Sequence, residues 1–182
     1  MSAICVFCAS STGIDARHLH LAATVGSELA ARGHRLVSGG GSVSMMGAVA
    51  DAARAGGAHT AGVIPQWLVD LEVADVRADE LVVVETMRER KAEMDRRADA
   101  FLVLPGGLGT LEEMFEVWTT RSLGMHDKPV VLLDPDGVFD PLWTVLSDLV
   151  DRGFVRADSF AAVTVTRDIA AAFAALGQAS LA

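Results

Sequence analysis

Along the chain, short apolar runs rich in Val, Ile and Leu alternate with longer stretches whose apolar residues recur at helical spacing, and turn residues separate the two kinds. The runs predict strands near 3–8, 34–38, 59–64, 81–85, 100–104, 129–133 and 162–165. The periodic stretches predict helices near 15–32, 44–55, 87–97, 110–123, 138–152 and 167–176. Phe101-Leu-Val-Leu104 and Val130-Val-Leu-Leu133 are apolar at every position, which suits strands covered on both faces, as in a parallel sheet. The alternation therefore predicts an α/β fold, a doubly wound, Rossmann-like parallel sheet with helices on both faces. Residues 65–79 break the rhythm, because Trp67, Leu68, Val69 and Leu71 stand among acids without a clear period; the segment reads as a loop over the site.

Composition bounds this picture. A chain of 182 residues fits a single domain over 1–182, large enough to bury roughly 70% of its unfolded surface without a disulfide or metal staple. No window approaches the roughly 18 unbroken apolar residues of a membrane span, and Met1-Ser-Ala-Ile-Cys-Val-Phe7 reads as a first strand rather than a signal peptide. These features predict a cytoplasmic protein with no membrane partner. The formal charge of -9 opposes contact with a nucleic acid polymer, which is held by many Lys and Arg contacts. A small anion needs only local positive potential, and Met87-Arg-Glu-Arg-Lys91 with Arg96 and Arg97 supplies one basic cluster.

Cysteine and histidine add little. Cys5 and Cys8 form a C-x-x-C inside a strand, where positions three apart point to opposite faces, whereas a redox pair sits at a helix N-terminus. They read as ordinary buried thiols. His18, His20, His34, His59 and His126 nowhere combine with Cys or acids at metal-ligand spacing, so no metal is expected.

In an open parallel sheet, ligands bind outside the carboxyl ends of the strands. Three glycine-rich or polar segments fall there: Cys8-Ala-Ser-Ser-Thr-Gly13, Ser38-Gly-Gly-Gly-Ser-Val-Ser-Met-Met-Gly47 and Pro105-Gly-Gly-Leu-Gly-Thr110. In the second, the glycines let the main chain approach a ligand and a helix starting near Ser44 would offer free N–H groups to a phosphate, although a simple turn fits equally well. In the third, three glycines lead into a helix that Thr110 could cap, with Glu112 and Glu113 in its first turn. Capping explains Thr and Glu but not the glycines. Neither segment is a Walker A motif or completes G-x-G-x-x-G, which disfavours an ATPase or a dinucleotide oxidoreductase. The basic cluster has a bland reading as a solvated helix face, but its place after a strand's carboxyl end points toward the site.

Taken together, Met87-Arg-Glu-Arg-Lys-Ala-Glu-Met94 and Pro105-Gly-Gly-Leu-Gly-Thr-Leu-Glu-Glu113 resemble the M-x-x-R-K and P-G-G-x-G-T-x-x-E motifs of the LONELY GUY-type cytokinin riboside 5'-monophosphate phosphoribohydrolases, often labelled lysine decarboxylase-like. Ile4-Cys-Val-Phe-Cys-Ala-Ser-Ser11, Gly39-Gly-Gly-Ser42 and Leu123-Gly-Met-His-Asp-Lys-Pro129 are also similar to family segments. The resemblance implies that Arg90 and Glu113 are the catalytic pair. It implies that Lys91, Gly106, Gly107, Leu108, Gly109, Thr110, Leu111, Glu112, Thr119 and Glu72 help to hold a nucleoside 5'-monophosphate. A homodimer with the site near the interface is implied too. Ser44 and Met45 depart from the family's usual Gly-Leu, and Ala9 replaces a frequent glycine.

The chemistry so implied is hydrolysis of an N-glycosidic bond. Positive charge grows on the sugar, and a carboxylate such as Glu113 stabilises it or activates water. Arg90 orients the nucleotide or stabilises the leaving side. The N–H groups of both glycine loops, including Gly40, Gly41 and Ser42, would hold the phosphate, and no cofactor is needed. A decarboxylase would hold pyridoxal phosphate on a lysine, and the chain has only Lys91 and Lys128. A general nucleotide nucleosidase and a non-catalytic nucleotide or molybdenum-cofactor carrier stay open. Trp67, Met87, Met94, Met114, Phe115 and Trp118 either line a prenyl-accepting pocket or fill the core.

Overall fold

The computed structural model describes residues 1–71 and 73–177. Its elements run β1 (Ala3–Phe7), α1 (Ala16–Ala31), β2 (Arg35–Ser38), α2 (Ser44–Ala55), β3 (Thr60–Pro65), α3 (Gln66–Asp70), β4 (Glu80–Val84), α4 (Met87–Arg97), β5 (Ala100–Val103), α5 (Leu108–Ser122), β6 (Val130–Leu133), α6 (Asp140–Asp151), α7 (Ala157–Phe160), β7 (Val163–Thr166) and α8 (Ile169–Leu176). The strands form one seven-stranded sheet in the order β4-β3-β2-β1-β5-β6-β7, and every pairing is parallel. The predicted α/β class and the parallel sheet are thus present. No helix among the described residues is long and apolar enough to cross a membrane.

Two apolar layers sandwich the sheet. On one face Ile4, Val6, Leu36 and Leu102 pack against Leu21, Val25 and Leu29 of α1, Met45 and Val49 of α2 and Phe173 of α8. On the other, Cys5, Phe7, Phe101 and Val103 meet Met94 of α4, Met114 and Trp118 of α5 and Leu146 of α6. Every residue of β1, β5 and β6 is buried, as the unbroken apolar runs require when both faces are covered. Cys5 and Cys8 are free and fall in opposite layers, and burial pushes both thiols well above their ordinary range.

The chain moves outward from β1 to β4 and then returns to place β5 on the other flank of β1. That reversal leaves a crevice above the carboxyl ends of β1 and β5, the place where such sheets bind ligands. The two loops that border it are tied together, since Ala9 N donates to Pro105 O at 3.2 Å.

Two short helices, α3 and α7, have no counterpart in the expected elements; neither buries a residue, so neither leaves an apolar period to read. Segment 65–79 is more than a loop. After α3 it runs back against the second glycine loop, where Gly41 and Ala74 form an antiparallel bridge. Asp75 N donates to Gly40 O and Ser42 N to Val73 O, both at 2.8 Å. Buried Asp75 in turn accepts from Arg54 at 3.1 Å, fastening the segment to α2.

Candidate active site

Arg90 reaches the crevice because α4 begins where it does. Thr86 caps the helix by accepting from Glu89 N at 3.1 Å, and the Glu89 carboxylate accepts from Thr86 N at 3.1 Å, a reciprocal capping box. One turn later, Arg90 points into the protein with only 7% of its surface exposed. Its Nε donates to Val63 O at 3.1 Å and Gly39 O at 3.4 Å, and its Nη1 donates to Glu113 Oε1 at 2.7 Å. The guanidinium charge is thereby matched by two carbonyls and one carboxylate, which a buried cation requires.

Glu113 lies on α5, with 11% of its side chain exposed. Burial pushes its carboxyl above the ordinary range, and Arg90 pulls it partway back down. The carboxylate lines a cavity of about 190 Å³ between α4 and α5, floored by Phe7 and Phe101 and edged by Arg88, Lys91 and Glu116. Phe7 and Phe101 stack there with ring centroids 5.8 Å apart. A buried cation–carboxylate pair beside an open cavity can carry proton transfer or charge stabilisation in reduced contact with water.

The third glycine segment forms the entrance to α5. The helix starts at Leu108 with Gly107 as N-cap and no side-chain cap bond. Thr110, expected as the cap, is instead the third helical residue and is buried, and Glu112 and Glu113 fall in the second turn, so the first turn carries no acid. The helix begins two residues before the expected start, and the chain passes close to it at Gly106, where a Cβ would fall 2.6 Å from Thr110 Cβ. A Cβ on Gly107 or Gly109 would meet nothing within 4 Å. Leu111 N returns to Gly107 O, whereas the N–H groups of Leu108, Gly109 and Thr110, at the positive end of the helix, have no partner among the described residues.

The second glycine loop is different. Ser42 N is bonded to Val73 O, and Gly40 N faces Ser38 Oγ at 3.3 Å. These two N–H groups are spent within the protein rather than held open for a ligand. Ser44, where α2 starts, has φ 52°, a left-handed conformation that suits glycine, the residue usual at this place in the family the sequence resembles, and its hydroxyl donates to Ser11 O at 2.5 Å.

The remaining expected residues divide. Lys91 pairs with Glu112 and, at 2.7 Å, with Glu116, which stitches α4 to α5 beside the Arg90–Glu113 pair. Lys128 is committed to Asp95, 2.9 Å away. Thr119 lines a separate groove with Phe115, Trp118, Leu123 and Phe154, and Glu72 lies outside the described residues. Met94, Met114 and Trp118 belong to the core, while Trp67 and Met87 are exposed. Sequence reading missed Phe7, Arg88 and Phe101. The two Phe residues carry only a core signal in sequence, and Arg88 is one charge in a basic run.

A family model described as "Possible lysine decarboxylase" matches residues 46–176. The chain is 52% identical over 166 residues to a cytokinin riboside 5'-monophosphate phosphoribohydrolase of Mycobacterium tuberculosis, covering 91% of this chain and 88% of that one. It is 57% identical over 152 residues to the enzyme of the same name from Mycobacterium marinum, covering 84% and 81%. A third relative, the same-named LOG2 of Arabidopsis thaliana, is 47% identical over 152 residues, covering 84% and 71%. Among solved structures, the molybdenum cofactor carrier protein of Chlamydomonas reinhardtii superposes with a TM-score of 0.74 at 23% identity, over 100% of this chain and 99% of that one. That likeness concerns the fold alone. With the two motifs meeting at one ion pair and the identity spread over most of the length, the chain belongs to the cytokinin riboside 5'-monophosphate phosphoribohydrolase family, the LONELY GUY group that the lysine decarboxylase model also covers.

Proposed function

We propose that the protein hydrolyses the N-glycosidic bond of nucleoside 5'-monophosphates, with N6-prenylated adenosine 5'-monophosphate as its substrate and the free base and ribose 5-phosphate as products. It is in this reading an N-glycosyl hydrolase contained in one domain. The observation that carries the reading is the buried Arg90–Glu113 pair, 2.7 Å apart, set beside an uncapped helix N-terminus. The names of the relatives support the choice of substrate.

The 5'-phosphate accepts from the N–H groups of Leu108, Gly109 and Thr110, where the helix dipole favours an anion. As the bond from C1' to the base lengthens, its electron pair leaves with the base and positive charge grows on the ribose. The Glu113 carboxylate stabilises that charge or takes a proton from the attacking water. Arg90 holds the carboxylate ionised and oriented, and its own charge favours the leaving side. Water's hydroxyl ends on C1' and its proton on the base. The scheme uses no cofactor.

We also assign a homodimer. Thr119 follows Glu113 by six positions and so points about 120° away around α5. It sits on a groove that includes Phe154, 78% exposed, and Leu123, 71% exposed. An apolar groove of this kind suits a second copy, which would bring its own Thr119 to the partner's nucleotide.

Incubation with a panel of nucleoside 5'-monophosphates, including N6-prenylated AMP, and with the matched nucleosides lacking phosphate, followed by chromatography for base and ribose 5-phosphate, tests the reaction. Base release only from phosphorylated substrates is expected. Equal turnover of AMP would make the protein a general nucleosidase, and binding without base release would make it a carrier. Sedimentation of the purified protein as a monomer would remove the dimer.

A further inference from the structure

The second glycine loop spends two of its N–H groups internally, yet one of its glycines is fitted against Arg90. A Cβ built on Gly39 would lie 2.8 Å from Arg90 Cζ and would overlap Nη2, and the three nearest atoms it would meet all belong to that guanidinium. Gly39 is not among the residues of positive φ, so its backbone conformation is open to any residue. Its neighbour Gly40 is under a different constraint, with φ 72° and Ile64 Cβ only 2.9 Å from an added Cβ. Gly40 makes the turn, and Gly39 leaves room for the arginine.

We infer that Gly39 is a positioning residue for the reaction: its missing side chain opens the slot that holds the Arg90 guanidinium with Nη1 on Glu113. Gly39 O completes the slot by accepting from Arg90 Nε. This inference rests on the nucleotide-hydrolase reading and deepens it, because it gives the second glycine loop a part in the chemistry that runs through an arginine.

The test is a double-mutant cycle. Gly39→Ala is expected to fold, as judged by circular dichroism, and to lower kcat about 100-fold, the scale of loss when a reacting group is misplaced by about 1 Å. Its pH–rate profile is expected to move to higher pH on the acid side, since Glu113 loses the cation that lowers its proton affinity. The other groups around Glu113 stay in place: Arg88, Lys91 and Asp95 on α4, Glu112 and Glu116 on α5, and the Cys5 and Cys8 thiols. In an Arg90→Lys background, which has no Nη2, adding Gly39→Ala is expected to change kcat by no more than about twofold. Wild-type turnover in Gly39→Ala, or the same loss in both backgrounds, overturns the inference.

Carbon-13 NMR titration of Glu113 in the ligand-free variants gives the same cycle without any reaction. There Gly39→Ala is expected to raise the Glu113 titration midpoint in the Arg90 background only, and an unmoved midpoint overturns the inference. If the wild type releases no base from any nucleotide, the hydrolase reading fails while the titration still decides the place of Gly39.

Discussion

The two glycine loops that follow β2 and β5 look alike in sequence and are opposites in structure. The loop at Gly39–Ser42 is filled: Arg90 occupies the space at Gly39, Ile64 the space at Gly40 and Met46 the space at Gly41, and strand-like bonds from Val73 and Asp75 close its edge. The loop at Pro105–Thr110 is open, since nothing stands within 4 Å of a Cβ on Gly107 or Gly109 and Leu108 is 87% exposed. Glycine signals that something must come close to the backbone. In the first loop that neighbour is the protein itself, as Thr110 is at Gly106 in the second, whereas at Gly107 and Gly109 the second loop is open.

The largest expected effect tests the open side. Glu113→Gln is expected to lower kcat about 10³-fold while nucleotide affinity, measured by calorimetry, changes little; near-normal turnover would remove Glu113 from the reaction. On the filled side, Gly40→Ala forces a side chain into the left-handed region and against Ile64, and urea unfolding is expected to show a loss of about 3 kcal/mol. Asp75→Ala strips Arg54 of its buried partner but leaves it Asp51 at 2.7 Å, so a smaller loss of about 2 kcal/mol is expected by the same measurement.

Gly109→Ala is the counterpart of Gly40→Ala in the open loop. Its expected effect on stability is a gain of about 0.5 kcal/mol, because it replaces a helical glycine with no clash, while nucleotide binding weakens. A loss of stability would show that this loop is as constrained as the other. The smallest signal comes from ribose 5-phosphate titrated into labelled protein. Amide shifts are expected at Leu108, Gly109 and Thr110 and not at Gly40 or Ser42, and the reverse pattern would exchange the roles of the two loops.

Much of this molecule is legible in the amino-acid sequence because its signals are local. Continuous apolar runs mark β1, β5 and β6, and the 3.6-residue period marks α1, α2 and α4 to within a residue or two of their observed ends. Arg90 and Glu113 stand in two different motifs, 23 positions apart; the family resemblance names them together, and the structure sets them in contact. The start of α5 departs from its sequence signal: Thr110 looks like a cap, yet extended Gly107 takes that place. Helices α3 and α7 left no period because they bury nothing.

The sequence by itself determined the layered α/β architecture and the apolar faces of its elements, since hydrophobic period is a property of a short stretch of chain, and its resemblance to a known family singled out Arg90 and Glu113 as candidates. Tertiary structure alone decided that β5 returns to flank β1, that Lys91 is committed to Glu112 and Glu116, and that one glycine loop is filled by an arginine while the other stays open. Those outcomes depend on which distant segment fills a given space. A glycine is an absence of atoms, and nothing in its neighbours along the chain says what will occupy the gap.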